Sequence, residues 1–443
     1  MRRLFLLSVL LISAYFPPDG EVGGRRIAKL CEHFPAFDVS PSVLTMPVPA
    51  ASLDPVPEDY LSGTKVCRVA GWPDPARYIA RLKHCLVTHP KQSSVEHASE
   101  AAREGGALSW RSQALAALYM PDAFIRWYWP AKKSGARICE RNATRVLISS
   151  GPPWTCHLIA NSLKRKYGLA WVADFRDPWT ACSARLPNWR LRRDRSWEKA
   201  CIAEADVIVC NTERLRQMFI AAYPQQPASK FVTITNGFEP SYPSGPKQNR
   251  TRRFILHTGT IYGTRRIDTF CQALKLLLES EAIERENLEV MFLGDVEAQF
   301  VAAAERATPS LFANKTITFQ PRLPWKNAQK LLWAADVHLI VQGQHRLQVP
   351  AKFFECLQTG MPILAIADEG ALSDAITETG AGFCAESDDV SQIAGALMSA
   401  LKMQARAPEE VQRMTEQFHW RSITARFSEA VHYAYRRSER SRT

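Results

Sequence analysis

Short apolar runs alternate with longer amphipathic stretches along most of the chain. RVLISS (145–150) leads through GPPW into a predicted helix over 156–167, and LAWVADF (169–175) leads through RDPW into a charged helix over 189–203. DVIVC (206–210) follows, and Thr212 is placed to cap the next helix. Strand and helix alternating in this way predict a parallel sheet with helices on both faces. FVTITNGFEP (231–240) closes this region, and SYPSGPKQNRTRR (241–253), rich in Pro, Gly and charge, predicts a linker. A second set starts at once, with strands at FILHTG (254–259), LEVMFLG (288–294), TITF (316–319), DVHLIV (336–341) and AGFCAE (381–386). Helices over 266–280, 296–308 and 325–334 fall between them. The expected organisation is an α/β domain over 1–240, the linker 241–253, a second α/β domain over 254–404, and C-terminal helices with a basic tail over 405–443.

Two segments leave this pattern open. The N-terminal MRRLFLLSVLLISAYFPPDG imitates a secretory signal, yet it lacks a small-residue cleavage site and is too short to span a bilayer. A buried parallel strand over 4–14 reads the same way, because both of its faces are covered. Pro17, Pro18 and the Gly23-Gly24 pair then predict a loop leading into a helix that begins near Arg25. The less regular region 50–140 holds PDAFIRWYWPAKK (121–133), with Trp127, Tyr128 and Trp129 beside Arg126, Lys132 and Lys133. Aromatics flanked by cations suit an anionic membrane interface, and they equally suit a packed helix with basic residues at its rim.

A chain of 443 residues exceeds what one hydrophobic core serves, which supports two domains of roughly 200 residues each. The hydrophobic fraction of 46% and charged fraction of 23% are those of an ordinary globular protein. A formal net charge of +12 points to an anionic partner: a phosphorylated substrate, a membrane surface or a nucleic acid. The second domain shows no basic residues interleaved with aromatics, which argues against nucleic acid. Eleven cysteines without a Cys-x-x-Cys pair suit reduced thiols in a cytoplasmic protein rather than a disulfide framework or a zinc site.

Candidate chemistry concentrates in a few stretches. In VPAKFFECLQTGMPILAI (349–366), Lys352 and Glu355 share one face of an otherwise apolar helix. They form either a surface ion pair or two contacts to one ligand. In HTGTIYGTRRID (257–268), Gly259 and Gly263 allow close backbone approach, and Arg265 and Arg266 precede a helix N-terminus, where cations are disfavoured unless an anion lies between. A polyphosphate between these arginines and Lys352 would resolve the conflict. In the first domain, Asp174, Arg176 and Asp177 stand at the end of a predicted buried strand, and His157 follows the GPP turn. They suit either a ligand site or a structural ion pair. Trp154 and Trp179 suit either stacking on a ligand or packing.

Together these motifs resemble glycosyltransferase family four, the retaining enzymes of the GT-B fold. HTGTIYGTRRID, LGD (293–295), ADVHLIV and above all VPAKFFECLQTGMPILA look like the donor half. ISSGPPWTCHLIA (148–160) with GLAWVADFRDPW (168–179) looks like the acceptor half of members that build bacterial surface polysaccharides. The resemblance runs from YFPPDGEVGG to about residue 400 and is weakest over 50–140. It implies an α/β GT-B architecture, two Rossmann-like doubly wound domains facing across a cleft that holds the ligand. It also implies metal-independent transfer of a sugar from a UDP-, GDP- or dTDP-linked donor to a hydroxyl of a glycan or polyprenyl-linked acceptor, at the inner face of the cell membrane. No cofactor beyond the donor is implied.

Residue by residue, the resemblance implies that Arg265 and Lys352 hold the donor diphosphate, that Glu355 accepts hydrogen bonds from the ribose, and that Gly259 and Thr260 line the donor. Gly23 and Gly24 resemble the turn under the donor phosphate and beside the acceptor. Asp174, Arg176 and Asp177 occupy the place where many relatives carry a histidine, and Asp177, Arg176 and His157 are the catalytic candidates of the first domain. Two positions depart from the family pattern: Leu347 stands where the first of two glutamates is often found, leaving sugar contacts to Gln342, Gln344 or Gln348, and Thr260 stands where an arginine often follows the first glycine. A nucleotide-sugar epimerase and a non-catalytic binding module share the same expected architecture.

Overall fold

Two parallel sheets account for the alternation of apolar runs. The computed structural model describes residues 6–20, 22–48, 63–73, 117–181, 188–241, 251–284 and 287–440. Within them the first sheet contains β1 (Leu7–Ile12), β2 (Val39–Thr45), β3 (Lys65–Arg68), β4 (Val146–Gly151), β5 (Ala170–Phe175), β6 (Val207–Cys210) and β7 (Phe231–Thr233), in the order β3-β2-β1-β4-β5-β6-β7. The second contains β8 (Arg253–Thr258), β9 (Leu288–Leu293), β10 (Ile317–Gln320), β11 (Val337–Gly343), β12 (Ile363–Ala367) and β13 (Gly382–Ala385), in the order β10-β9-β8-β11-β12-β13. Strand order reverses between β1 and β4 in one sheet and between β8 and β11 in the other. These are the places where a doubly wound sheet leaves a crevice at its strand ends.

The central strands are apolar throughout because helices cover both faces. Every residue of β4, β5, β6 and β11 is buried. On the second sheet, Ile255, Val290 and Leu339 enter one core, while Phe254 and Leu256 enter another on the opposite face. The N-terminal apolar run forms β1, whose Val9 to Ile12 are fully buried between β2 and β4.

By contact, the chain divides into two compact units. The first comprises Met1–Cys210, Met218–Thr233 and Thr424–Thr443, and the second Asn211–Gln217 and Ile234–Ile423. Most of the segment 241–253 read as a linker lies outside the described residues. The helix Pro408–Thr415 belongs to the second unit, whereas the long helix Trp420–Arg440 joins the first from Thr424 onward. There Phe427 packs edge-on against Phe34, with ring centroids 6.2 Å apart, and His432 Nε2 lies 3.2 Å from the Phe37 carbonyl.

Local details follow the sequence with one correction. Thr212 caps the helix Glu213–Ala222 by accepting from the Leu215 amide at 3.1 Å. The first helix, by contrast, begins at Val22, so Gly23 and Gly24 lie in its first turn rather than in a loop before Arg25. The described cysteines are free thiols. Among the described residues no helix is long and apolar enough to cross a membrane.

The aromatic and basic stretch divides between core and surface. Trp127 is fully buried ahead of the helix Tyr128–Arg141, while Trp129 is 55% exposed with the Lys132 ammonium 5.1 Å over its ring. Trp127→Ala is therefore expected to cost about 3–5 kcal/mol, and Trp129→Ala less than about 0.5 kcal/mol. Urea unfolding of the two variants checks this, and equally small effects would remove Trp127 from the core.

Candidate functional site

In the second unit the reversal point between β8 and β11 gathers the cations that the sequence singled out. β8 ends on His257 and Thr258, and the chain turns at Gly259 with φ +98°, a left-handed conformation that side-chain-bearing residues rarely adopt. A Cβ at Gly259 would also come within 3.0 Å of Lys352 Nζ. The loop that follows is held from the β11 side. Gly343, with φ +62°, approaches the Thr264 carbonyl so closely that a Cβ there would lie 2.6 Å from its oxygen.

Lys352 comes from the helix Ala351–Leu357, and its Nζ lies 3.2 Å from His257 Nε2 rather than in an ion pair with Glu355. His257 Nδ1 lies 2.9 Å from the Leu339 carbonyl. A carbonyl only accepts, so Nδ1 carries the hydrogen and Nε2 offers its lone pair to Lys352. Burial, reinforced by the Arg265 charge, pushes Lys352 down to about 7. Burial and the Lys352 charge hold His257 well below the usual histidine range.

Arg265 donates from Nη1 to the Thr260 carbonyl at 3.1 Å and lies 4.3 Å from the centroid of the Tyr262 ring, with its Nε buried and unpartnered. It has no carboxylate partner among the described residues. Its neighbour differs from the expectation that both arginines face a polyphosphate. Arg266 makes two bonds to Asp268, at 3.1 and 2.6 Å, and one to Asp388 at 3.3 Å, so its charge is already met. Glu355 is half-buried on the same helix as Lys352. Of the glutamines proposed for sugar contacts, Gln342 is buried and donates to the Gln348 carbonyl at 3.2 Å, which ties the loop after β11, while Gln344 is exposed.

The first unit brings together a different set at the β1/β4 reversal. Asp174, at the end of β5, pairs with Arg26 and not with Arg176. The Arg26 guanidinium makes two bonds to it, at 3.1 and 2.9 Å, and Ser150 Oγ adds a third at 2.7 Å. Both partners are buried, so the pair is closed off from solvent. Arg26 was missed in the sequence; its place one helical turn before the buried Leu30 is the signal that marks an inward-facing cation.

Arg176 instead donates to the Pro152 carbonyl, and its backbone amide reaches the Gly151 carbonyl at 2.9 Å. Its guanidinium lies where a side chain at Gly23 would stand, and its Nε is buried without a partner. Asp177 is half-buried in the same loop. Glu198, also missed in the sequence, fixes that loop by accepting from the Thr180 amide at 2.7 Å and the Thr180 hydroxyl at 3.1 Å.

His157 lies beneath this surface. It is fully buried, with Nδ1 2.8 Å from Ser149 Oγ and its ring 4.4 Å from that of Phe175. Trp154 and Trp179 stack on each other with ring centroids 5.1 Å apart. Burial pushes His157 down to about 3. A base whose folded value is depressed binds fewer protons than in the unfolded chain, so stability falls as pH drops from the ordinary histidine value towards 3. His157→Gln is expected to flatten the dependence of unfolding free energy on pH, between about 4 and 6, by about 1.4 kcal/mol per pH unit. Chemical denaturation across that range checks it; an unchanged slope would mean that His157 titrates normally.

Residues 240–418 match the family model described as "Glycosyl transferases group 1". No curated protein has a sequence that matches the chain. Among solved structures, sucrose-phosphate synthase from Thermosynechococcus elongatus is similar over 98% of this chain and 100% of its own, with a TM-score of 0.64 at 12% identity. The Anabaena protein Alr3699/HepE, solved in complex with UDP, is similar over 96% of this chain and 99% of its own, with a TM-score of 0.64 at 12% identity. The lipopolysaccharide outer core galactosyltransferase WaaB is similar over 96% of this chain and 99% of its own, with a TM-score of 0.60 at 11% identity. The fold is GT-B, with two Rossmann-like parallel sheets.

Proposed function

We propose that the chain is a retaining glycosyltransferase that moves a sugar from a nucleotide-sugar donor to a hydroxyl of a glycan or lipid-linked acceptor. The observation that carries this reading is the placement of Lys352 and Arg265, neither ion-paired with a carboxylate, at the β8/β11 reversal point, within the residues that match the group 1 glycosyl transferase model. Two cations without carboxylate partners fit a leaving diphosphate, and charge-assisted hydrogen bonds to its oxygens stabilise the charge that develops as the glycosidic bond breaks. Glu355 then accepts from the ribose hydroxyls, and the backbone at Gly259 and Thr260 lies along the phosphates. With two protein cations on the diphosphate, this reading needs no divalent metal. UDP is the first donor nucleotide to test, because the Anabaena structure contains it, with GDP and dTDP next.

On the acceptor side, Arg176 over Gly23, with Gly24 and Asp177 beside it, is the group we assign to orienting the acceptor, with His157 supporting the loop from below. The net charge of +12 and the exposed Trp129 with Lys132 support a lipid-linked acceptor met at an anionic membrane face, as in surface-polysaccharide synthesis.

Loss of a hydrogen bond to a charged group costs about 1.5–3 kcal/mol. Lys352→Ala and Arg265→Ala are each expected to weaken UDP binding by about 10- to 150-fold and to abolish sugar transfer while the thermal transition persists. Calorimetric titration of folded variants checks this; unchanged UDP affinity in both would remove the donor site from these residues.

A further inference from the structure

Lys352 is held in an unusual way for a half-buried cation. Its hydrogen-bond partner is a neutral imidazole, 3.2 Å away, and that imidazole is fixed in one tautomer by the Leu339 carbonyl. The groups facing Lys352 can be named from each element around it. β8 contributes His257, the following loop contributes the Gly259 backbone and the Arg265 guanidinium, and its own helix contributes Glu355 and Cys356. The Arg265 charge opposes the ammonium more strongly than Glu355 favours it. A carboxylate in place of His257 would keep the lysine charged whether or not a ligand were present; a lone pair does not.

We propose that His257 makes donor binding proton-coupled: it holds Lys352 through a lone pair, so that the amine takes a proton from solvent when a nucleoside diphosphate arrives. The inference rests on the donor-site reading above. In the step itself the Nζ lone pair of neutral Lys352 binds one solvent proton, the resulting ammonium bonds to a diphosphate oxygen, and no covalent bond of the ligand changes. Arrival of an anion favours the charged form of an adjacent amine. The free lysine sits at about 7, so above that pH the empty site holds a growing share of neutral amine. Affinity is then lost as pH rises through the alkaline range, by up to about tenfold per pH unit for one proton. Below the free value the lysine is charged already and no proton is taken up.

Calorimetric titration of the whole chain with UDP, GDP and dTDP at about pH 8, in buffers of different ionisation enthalpy, counts the protons. Uptake of a substantial fraction of one proton is expected, with affinity falling between about pH 7.5 and 9, where the diphosphate itself no longer titrates. Lys352→Arg keeps its charge and is expected to remove both the uptake and the slope. His257→Asn keeps a donor for Leu339 but loses the acceptor for Lys352, so UDP affinity is expected to drop about tenfold with a displaced pH midpoint. His257→Gln returns an acceptor oxygen and is expected to restore both. A purely structural role for His257 would lower the melting temperature without moving the proton count. Binding with no proton uptake in the wild-type chain overturns the inference and leaves the donor site standing, whereas failure of all three nucleotides to bind overturns both.

Discussion

Parallel pairing of every strand forces each connection to cross over its sheet, and where strand order reverses two neighbouring loops leave towards opposite faces. That divergence opens the only kind of crevice a fully covered parallel sheet offers, and the polar side chains of both units collect there. At the β8/β11 point the crevice is narrow enough that backbone must pass against side chain. Gly343 lies against the Thr264 carbonyl and excludes a side chain on distance as well as on backbone conformation, while Gly259, beside the Lys352 side chain, is required by its left-handed conformation. The β1/β4 point repeats the logic, with Gly23 giving its space to Arg176.

Charge compensation sorts the basic residues at these points into two kinds. Arg26 is closed by Asp174, and Arg266 by Asp268 and Asp388. A buried pair of the first sort gains little net stability over an apolar substitute, but removal of one partner leaves the other charge stranded. Such pairs fix the strand end from which the open cations project. Among the described residues Arg176 bonds only to carbonyls, and Arg265 to a carbonyl and an aromatic face, so neither charge is met by a carboxylate there. The sequence places open and closed arginines side by side at 265 and 266, and only the positions of Asp268 and Asp388 distinguish them.

The fold was legible because buried parallel strands read as continuous apolar runs and the helices between them keep a helical period. Lys352, Glu355, Gly259 and Arg265 were legible as local oddities, charges or glycines where an apolar or cation-poor pattern was expected. What the sequence hid depends on distance along the chain. Arg26 meets Asp174 across 148 positions, and Lys352 meets His257 across 95. No local pattern encodes either pairing. The start of the first helix was misread for a related reason: two glycines argue for a loop on propensity, but contact with the Arg176 guanidinium favours glycine at position 23 inside the helix.

The choice of lysine at 352 and arginine at 265 then has a physical reason. Arginine remains charged in any protein environment, whereas a buried lysine can lose its proton. Two permanent cations in one crevice, with no carboxylate bonded to either among the described residues, would repel each other in the empty protein. With a lysine on a neutral imidazole the empty site carries one obligate charge, at Arg265, and a second that falls to about 7 under burial and repulsion. On the proposed donor-site reading, the full positive charge is assembled when an anion is present to share it. His257 suits this arrangement because its buried ring is neutral and its tautomer is set from the opposite side by Leu339, so it holds the lysine in place whether the amine is protonated or not.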